Sequence, residues 1–523
     1  MTYGSKLYKQ HKLMNMKLVV FGAFLFLGVL TSCQSIPKDF KAPESYYIKN
    51  TEHTWWAKTL AAEIKKHPDQ SGFVPLASGP DAFIARLASV RKAERTLDIQ
   101  YYIWHDDLVG RMLMHDVLQA ADRGVRVRLL LDDLNIGQYQ DTLLILDSHP
   151  LIEVRMFNPF ANRKLRFLDA FRFSQVNRRM HNKVMIADNQ AAILGGRNIG
   201  NEYFTASEEE NFGDFDVWCF GPVAEESSQS FDLYWNNKLA VPIPILNKRE
   251  LKSTELAELR QNLEGAKAEV QKSKYGQDLE NSRLMKQVHE RDVKAFWGRA
   301  KVFYDSPEKV ENGKSKLMLN QITALPIRST KEVFIVSPYF IPGKKGVDYF
   351  AKKSKDGIKV TVVTNSLASN DVSLVFAGYK KYRKGLLKGG VDLYEIKPRV
   401  NVKARKSKVA GSSGARLGLH GKVYVFDRHV MFVGSMNLDP RSVELNSEMG
   451  VLLENKDFAN HFVNLMTTEL PDIAYKVTLD DGDLRWTTRE EEGSVTLKKE
   501  PEASFWKSFQ AGVLSLFVPE SLL

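Results

Sequence analysis

Apolar strand-like runs alternate with amphipathic helical stretches along most of the chain, and the order of these runs repeats. Three successive stretches in the first part predict a strand, a helix and an unbroken apolar strand: Thr96–Trp104, Gly110–Arg123 and Val125–Leu131. Three stretches in the second part predict the same order: Lys331–Tyr339, Val347–Lys355 and Ile358–Thr364. Alternating strands and helices indicate an α/β fold with a largely parallel, buried sheet.

A short polar pattern is also repeated. His181-Asn-Lys183 is followed by Asp188, and His420-Gly-Lys422 is followed by Asp427 at the same spacing. Both copies have trailing partners, Gly195-Gly-Arg-Asn198 and Gly434-Ser-Met-Asn437, and the distance between the two asparagines equals that between the two histidines. Two His-x-Lys-x4-Asp patterns with matched tails are not a chance match.

The motifs lie on predicted strands, where residues two apart share a face. Each histidine and its lysine therefore project together. Because the chain is duplicated, the two halves are expected to face each other and to present both His–Lys pairs to a common cleft.

These residues resemble the phospholipase D superfamily, whose signature is a duplicated His-Lys-Asp motif with a trailing asparagine. The similarity runs from about Asp81 to Leu470, and Thr364–Asp371 and Asn437–Ser442 resemble the bacterial cardiolipin synthase branch. The resemblance implies two αβα halves packed about a pseudo-twofold axis, with one active site at their interface. It also implies a phosphodiester-cleaving enzyme.

The predicted organisation has six parts. They are a lipoprotein-type signal (1–33), a linker (34–80), half 1 (81–245), a charged helical insertion (246–300), half 2 (301–470) and a C-terminal appendage with an amphipathic tail (471–523). Within the insertion, Leu256, Leu259, Leu263 and Val270 recur at helical spacing, which predicts an amphipathic surface helix.

Two histidines suit phosphodiester chemistry when one is neutral and attacks phosphorus while the other is protonated and supplies the leaving oxygen with a proton. The resemblance implies that His181 is the nucleophile and His420 the acid and then the base. Lys183 and Lys422 would bind the non-bridging oxygens, and Asn198 and Asn437 would donate further hydrogen bonds to them. We expect no metal and no cofactor, since the lysines supply positive charge.

The resemblance further implies an acidic residue after each motif that holds the second ring nitrogen of a histidine. Asp216 and Glu448 fit this role by position. Asp188 and Asp427 end their strands and are expected to be structural. The first copy departs from the second at two places, where Gly196 corresponds to Ser435 and Gly200 corresponds to Asp439. Because Gly196 has no side chain, only Ser435 is expected to bind substrate through a hydroxyl.

A basic loop precedes each motif. Arg163, Lys164 and Arg166 lie ahead of His181, and Lys403–Lys408 lies ahead of His420. We interpret both loops as lips of the cleft that bind substrate and, with the aromatic residues of the first, contact an anionic lipid surface. The alternative is a pair of solvated loops without a binding role.

The ends of the chain and its charge bear on location. The net charge of +11 and pI near 9.2 favour an anionic partner, without separating membranes from nucleic acids. Lysines precede the apolar run Leu18–Leu30, and Cys33 follows it. This pattern resembles a bacterial lipoprotein signal and predicts lipidation of Cys33 on the periplasmic side of the cell envelope. The alternatives are a soluble secretory signal and an uncleaved anchor. Phe505–Phe517 is typical of either a membrane-surface helix or a segment docked on the protein.

Three functions are compatible with these observations. The resemblance favours phosphatidyl transfer that makes cardiolipin from phosphatidylglycerol and a second phospholipid, phosphatidylethanolamine, through a phosphatidyl-histidine. The same residues could hydrolyse phospholipids to phosphatidic acid. A nuclease would tolerate the charge but requires neither Cys33 nor the aromatic tail, so phospholipids are expected as substrates and nucleic acid is not.

Overall fold

The structure is a computed structural model that describes residues 40, 42–137, 139–163, 166–290, 292–313, 317–399 and 415–502. The predicted signal with Cys33, Lys164, the loop Lys403–Lys408 and the tail Phe505–Phe517 lie outside the described residues. Within these ranges, none of the helices combines the length and the hydrophobicity that crossing a bilayer requires.

The first half and the segment before it contain the following elements. In chain order they are α1 (Trp55–Lys66), β1 (Ser71–Leu76), α2 (Gly79–Lys92), β2 (Thr96–Tyr101), α3 (Leu108–Asp122), β3 (Arg126–Asp132), α4 (Gln140–Asp147), β4 (Ile152–Phe157), a 3-10 helix (Arg166–Arg172), α5 (Phe173–Val176), β5 (Val184–Ala187), β6 (Ala191–Gly195), a second 3-10 helix (Asn201–Tyr203), β7 (Glu210–Gly213), β8 (Asp216–Phe220), α6 (Pro222–Trp235) and β9 (Ala240–Pro242).

The remaining elements cover the connection and the second half. They are α7 (Ile243–Leu246), α8 (Glu255–Lys272), α9 (Lys274–Glu280), α10 (Arg283–Glu290), β10 (Phe296–Tyr304), α11 (Glu308–Asn312), α12 (Leu317–Arg328), β11 (Glu332–Val336), α13 (Gly343–Lys355), β12 (Lys359–Asn365), α14 (Ser373–Lys388), β13 (Asp392–Ile396), β14 (Arg416–Leu419), β15 (Lys422–Phe426), β16 (Val430–Gly434), α15 (Pro440–Glu444), β17 (Met449–Glu454), α16 (Lys456–Ile473), β18 (Ala474–Asp480), β19 (Asp483–Glu490) and β20 (Gly493–Leu497).

Both halves have the same sheet topology. In half 1, β3 runs parallel to β2 and β4, and β5, β6 and β8 continue from β2 as antiparallel neighbours. In half 2, β12 runs parallel to β11 and β13, and β15, β16 and β17 continue from β11 in the same way. The predicted α/β class with two duplicated halves is therefore confirmed. Because helices cover the parallel strands, residues such as Leu129 and Val362 are completely buried.

Within the predicted linker (34–80), the helical stretch expected at Thr54–Lys65 is present, and an additional strand follows it. Thr54 caps helix α1, and Trp56 is buried edge-on against Trp218 with 5.2 Å between the ring centroids. Strand β1 pairs antiparallel with both β8 and β10, and β10 in turn pairs with β17 of half 2. The polar composition of this segment gave no indication of strand β1, which connects the sheets of the two halves.

The boundaries of the insertion and of the appendage also shift. Helix α8 buries Leu259, Leu263 and Val270 in the core cluster that includes α3, but the predicted insertion (246–300) ends inside strand β10. The predicted appendage (471–523) begins inside α16, and β18 then pairs antiparallel with β13. Residues from Ala474 to Leu497 therefore extend the sheet of half 2 rather than forming a separate unit.

Candidate active site

The two motif histidines are held by backbone contacts between the halves. The amide of His181 donates to the carbonyl of Ser447 (2.9 Å), and the amide of Ser447 donates to the carbonyl of Arg179 (2.9 Å). On the other side, β14 runs parallel to β7, and the amide of His420 donates to the carbonyl of Gly213 (2.8 Å). Each histidine therefore lies directly beside the backbone of the opposite half, His181 beside Ser447 and His420 beside Gly213.

The opposite half also supplies the acidic partner of each histidine. Nδ1 of His181 lies 2.8 Å from Oε2 of Glu448, and Nδ1 of His420 lies 2.6 Å from Oδ2 of Asp214. A carboxylate at Nδ1 fixes the ring orientation and the tautomer, which directs Nε2 towards a substrate. Neither half contains a complete histidine–carboxylate pair by itself.

The prediction that Asp216 supports a histidine is wrong. In the sheet register, Asp216 lies opposite Gly195 and Gly450 lies opposite Gly434, so Asp216 corresponds to Gly450 and Asp214 corresponds to Glu448. Strand β8 directs Asp216 into the interior of half 1, where its Oδ2 accepts from Nη2 of Arg86 at 2.9 Å. Asp216 is thus a buried ion-pair partner.

Different carboxylate lengths explain the unequal glycine motifs. Ser435 donates through Oγ to Oε2 of Glu448 at 2.5 Å, so its hydroxyl supports the glutamate, and the substrate contact of Ser435 stays a prediction. A Cβ added at Gly196 would lie 2.3 Å from Oδ1 of Asp214. A glycine is therefore required where the shorter aspartate lies closer, and a serine fits beside the glutamate.

Both motif lysines are buried next to their histidines. Nζ of Lys183 donates to the carbonyl of His181 (2.6 Å) and lies 5.2 Å from the ring centroid of Tyr102, and Nζ of Lys422 donates to the carbonyl of His420. Burial lowers the pKa of Lys422 to about 8 and that of Lys183 well below its ordinary value. A phosphate oxygen entering between them would restore the charged form, so the pair is suited to an anionic ligand.

The two histidine pairs differ in charge. Burial, together with the field of Lys183, lowers the pKa of His181 well below its usual value, which favours the neutral imidazole. The pKa of His420 is lowered by burial and by Lys422, but Asp214 opposes the change. Although burial disfavours a charged Asp214, the field and hydrogen bond of His420 outweigh it and lower the aspartate's pKa to about 2, whereas burial raises the pKa of Glu448 to about 7.

The asparagines flank the histidines but are bound unequally. Nδ2 of Asn198 donates to the hydroxyl of Tyr203 (2.9 Å), and Oδ1 of Asn198 accepts from the amide of Ile103 (3.2 Å). The side-chain oxygen of Asn437 is buried and has no hydrogen-bond partner among the described residues. The fold therefore holds both ends of the Asn198 amide, whereas it leaves the oxygen of Asn437 unbound among the described residues.

The motif aspartates hold tight turns. Asp188 and Asp427 have left-handed backbone conformations, with φ of 53° and 52°. The carboxylate of Asp188 accepts from the amides of Glu94, Arg95 and Thr96, and that of Asp427 accepts from the amides of Thr330, Lys331 and Glu332. Each aspartate fastens the end of a motif strand to the start of the antiparallel strand beside it, β2 or β11, away from the reaction centre.

The basic loop of half 1 is less available than the sequence indicated. Arg163 forms an ion pair with buried Asp133, and Arg166 donates through Nη1 to the carbonyl of Leu134 (2.7 Å) and lies 3.4 Å from Asp133. Both arginines therefore make internal contacts, and their binding of substrate stays a prediction. Among the described residues of this segment, Phe167 is 71% and Phe173 is 53% exposed.

Sequence reasoning missed four residues at the site. Tyr102 packs edge-on against His181 (4.9 Å between ring centroids), Tyr203 packs edge-on against His420 (5.1 Å), Asp214 holds His420, and Arg441 donates to the side-chain oxygen of Asn177 across the halves (2.9 Å). Tyr102 and Tyr203 carry no repeated spacing. Aligning the two sheets by strand register would have found Asp214.

Two duplicated halves that exchange carboxylates around paired histidines and lysines are the architecture of phospholipase D-like enzymes. A family model described as "Cardiolipin synthase, PLD-like domain" matches residues 87–235 and 326–469, and the chain belongs to this family. It is 40% identical over 475 residues to cardiolipin synthase C of Escherichia coli (strain K12), spanning 89% of this chain and 99% of that protein.

Two further relatives are more distant. The chain is 26% identical over 383 residues to cardiolipin synthase B of Shigella flexneri, which covers 73% of this chain and 76% of the relative. The crystal structure of phosphatidylserine synthase from Haemophilus influenzae Rd KW20 shares the fold, with a TM-score of 0.52, 15% identity, and coverage of 88% of this chain and 96% of the other. The protein is a phospholipase D-type phosphatidyltransferase that acts on phospholipids.

Proposed function

We propose that the enzyme makes cardiolipin by moving a phosphatidyl group from phosphatidylethanolamine to phosphatidylglycerol. The observation that carries the proposed mechanism is a pair of histidines whose Nδ1 atoms are held by carboxylates of the opposite half, Glu448 for His181 and Asp214 for His420. Burial and Lys183 favour the neutral form of His181, whereas Asp214 opposes the lowering of the pKa of His420. An attacking base and a proton donor are the two groups that phosphodiester exchange needs.

In the first step, Nε2 of His181 attacks phosphorus and forms an N–P bond. The bond between phosphorus and the ethanolamine oxygen breaks, and that oxygen takes a proton from Nε2 of His420. Ethanolamine leaves, the phosphatidyl group remains on His181, and His420 is neutral. Asp214 stabilises the charged form of His420 before the transfer and holds its ring in place throughout.

In the second step, the terminal glycerol hydroxyl of phosphatidylglycerol gives its proton to His420 while its oxygen forms a bond to phosphorus. The N–P bond breaks, and both histidines return to their initial protonation states. Lys183 and Lys422 are suited to bind the non-bridging oxygens in both steps, and Asn437 can add a hydrogen bond. Water in place of the glycerol hydroxyl would give phosphatidic acid instead.

We also infer that the enzyme works at a bilayer surface. The exposed rings of Phe167 and Phe173 lie on the segment that leads to His181, so lipid contact there would bring a headgroup next to the cleft. Cys33 remains the proposed lipidation site in the bacterial envelope. Replacing Cys33 with alanine should release the protein from the membrane fraction, and membrane attachment equal to that of the wild type would refute lipid anchoring.

The reaction can be tested with purified full-length protein in mixed phosphatidylethanolamine and phosphatidylglycerol vesicles, with products separated by mass. Cardiolipin with an equal amount of ethanolamine is the expected result. Phosphatidic acid without cardiolipin would favour hydrolysis, and DNA cleavage without any lipid product would favour a nuclease.

The roles of the histidines can be separated with a phosphatidyl ester of p-nitrophenol, a leaving group that needs no proton from His420. His420→Ala should release one burst of nitrophenol and retain a phosphatidyl adduct, whereas His181→Ala should release none. His429→Ala, which changes an exposed histidine outside the site, is the control and should behave as the wild type. A burst from His181→Ala together with none from His420→Ala would exchange the two roles.

A further inference from the structure

A carboxylate next to the His420 side of the cleft has no role in the chemistry above. Asp371 is exposed at the end of the loop after β12, and both of its oxygens accept from the hydroxyl of Tyr339 (2.9 and 2.8 Å). Within the described part of the chain, the Tyr339 hydroxyl is the donor to the side chain of Asp371. Each carboxylate oxygen can accept further hydrogen bonds.

The loop that carries Asp371 is fixed to the strand that carries His420. The side chain of Asn365 accepts from the amide of Leu419 and donates to its carbonyl, both at 2.9 Å, and Ser369 donates to Oδ1 of Asn365 at 3.0 Å. Asp371 is close enough to raise the pKa of Lys422 against the larger effect of burial. Its position relative to the reaction centre is therefore set by the fold.

Aromatic rings complete this corner of the cleft. Tyr203 and Phe212 contact the ring of His420, with centroid distances of 5.1 and 5.5 Å, and Tyr339 is close enough to Tyr203 for the two hydroxyls to influence each other. Aromatic faces together with a carboxylate are the usual protein environment for an organic ammonium group.

The acidic residue after the equivalent strand of half 1 is already neutralised. Asp133 directly follows β3, as Ser366 directly follows β12 in the loop that leads to Asp371, and Arg163 and Arg166 both bind Asp133. The two sides therefore differ: a cationic group would meet arginines near half 1 and a carboxylate with aromatic rings near half 2.

We propose that Asp371, positioned by Tyr339, binds the ammonium group of the leaving ethanolamine and so selects phosphatidylethanolamine as the donor. This inference rests on the proposed function, in which His420 protonates the ethanolamine oxygen. Only two carbons separate that oxygen from the ammonium nitrogen, so the nitrogen must lie on the His420 side. A glycerol headgroup has no charge to place there, and the extra carboxylate of a serine headgroup would be repelled by Asp371.

The test is donor competition in full-length enzyme, with phosphatidylethanolamine and phosphatidylglycerol carrying acyl chains of different mass, so that each cardiolipin reports its donor. Asp371→Asn should lower the preference for phosphatidylethanolamine by roughly five- to tenfold while use of phosphatidylglycerol is retained, and Tyr339→Phe should give a smaller shift in the same direction. Asp356→Asn, which changes an exposed aspartate on the far side of α13, is the matched control.

A soluble probe gives an independent measurement. Phosphoethanolamine should inhibit the wild type more strongly than glycerol phosphate, and Asp371→Asn should remove most of that difference. Unchanged donor preference in Asp371→Asn, or an equal loss with both donors, would overturn the assignment of Asp371. A wild type that releases no ethanolamine at all would instead show that the proposed donor is wrong, whatever the variants do.

Discussion

The opposite charge requirements of the two histidine–carboxylate pairs can be tested by changing one carboxylate at a time. Asp214 is held at a pKa of about 2, compared with an ordinary 3.8. That difference corresponds to about 2 kcal/mol in favour of the charged carboxylate, part of which comes from Arg197 and Lys422. Because coupling is reciprocal, removing the charge of Asp214 should lower the pKa of His420 further.

The expected result follows from which form of each histidine is active. The rate requires protonated His420, so it falls as pH rises through the pKa of His420, and in Asp214→Asn this alkaline limb should move to lower pH. At neutral pH the variant should lose on the order of 10²- to 10³-fold in kcat, through fewer protonated rings and poorer ring orientation.

Glu448→Gln should act differently. The rate requires neutral His181, so it rises as pH rises through the pKa of His181, which lies well below its usual value. Glu448, whose pKa is raised to about 7, is already uncharged in that range, so Glu448→Gln should leave both limbs in place and lower the rate through poorer orientation of the His181 ring. The measurement is kcat/KM for ethanolamine release as a function of pH in both variants. If Asp214→Asn leaves the alkaline limb in place while Glu448→Gln moves it, the assignment of base and acid is wrong.

Three further results are expected. Asp216→Asn should reduce the free energy of unfolding by about 3–5 kcal/mol, because it leaves buried Arg86 without its charged partner, and a stable but inactive variant would contradict this. Glu448→Gln should become more stable relative to the wild type as pH rises, because the folded-state pKa of Glu448 is raised to about 7. The stabilising contribution of protonated Glu448 is present below about pH 4.5 and is lost as pH rises through 7, a change of about 3 kcal/mol at most in the free energy of urea unfolding. A constant difference between the two proteins from about pH 5 to about pH 8 would refute this prediction. Replacing Phe167 and Phe173 together with serine should weaken binding to anionic vesicles about tenfold or more in a sedimentation assay, with unchanged binding as the contrary result.

The sequence was sufficient to predict the features that the duplication repeats. The matched positions of His181 and His420 predicted two equivalent strands, and the structure places β5 and β15 in the same register against β2 and β11. The predicted fold class depended on this repeat and on apolar runs such as Val125–Leu131. Both signals are local along the chain, so they can be recognised without knowledge of the tertiary structure.

The sequence was insufficient where the two copies diverge. More residues separate Asn198 from Asp214 than separate Asn437 from Glu448, because a longer connection with a 3-10 helix lies in half 1, so spacing could not decide between Asp214 and Asp216. Arg163 illustrates a second limit: a basic loop looks the same in sequence whether its charges face a ligand or a buried acid such as Asp133.

The position of β1 has a consequence for how the molecule is made. This strand is synthesised before either half, yet its partners β8 and β10 emerge much later from the ribosome. The amino-terminal segment must therefore remain unpaired until β8 near the end of half 1 has been made, and its pairing is complete only after β10 follows. A version cut back to where the family match starts would leave two facing strand edges open, which makes aggregation, rather than a smaller working enzyme, the expected product.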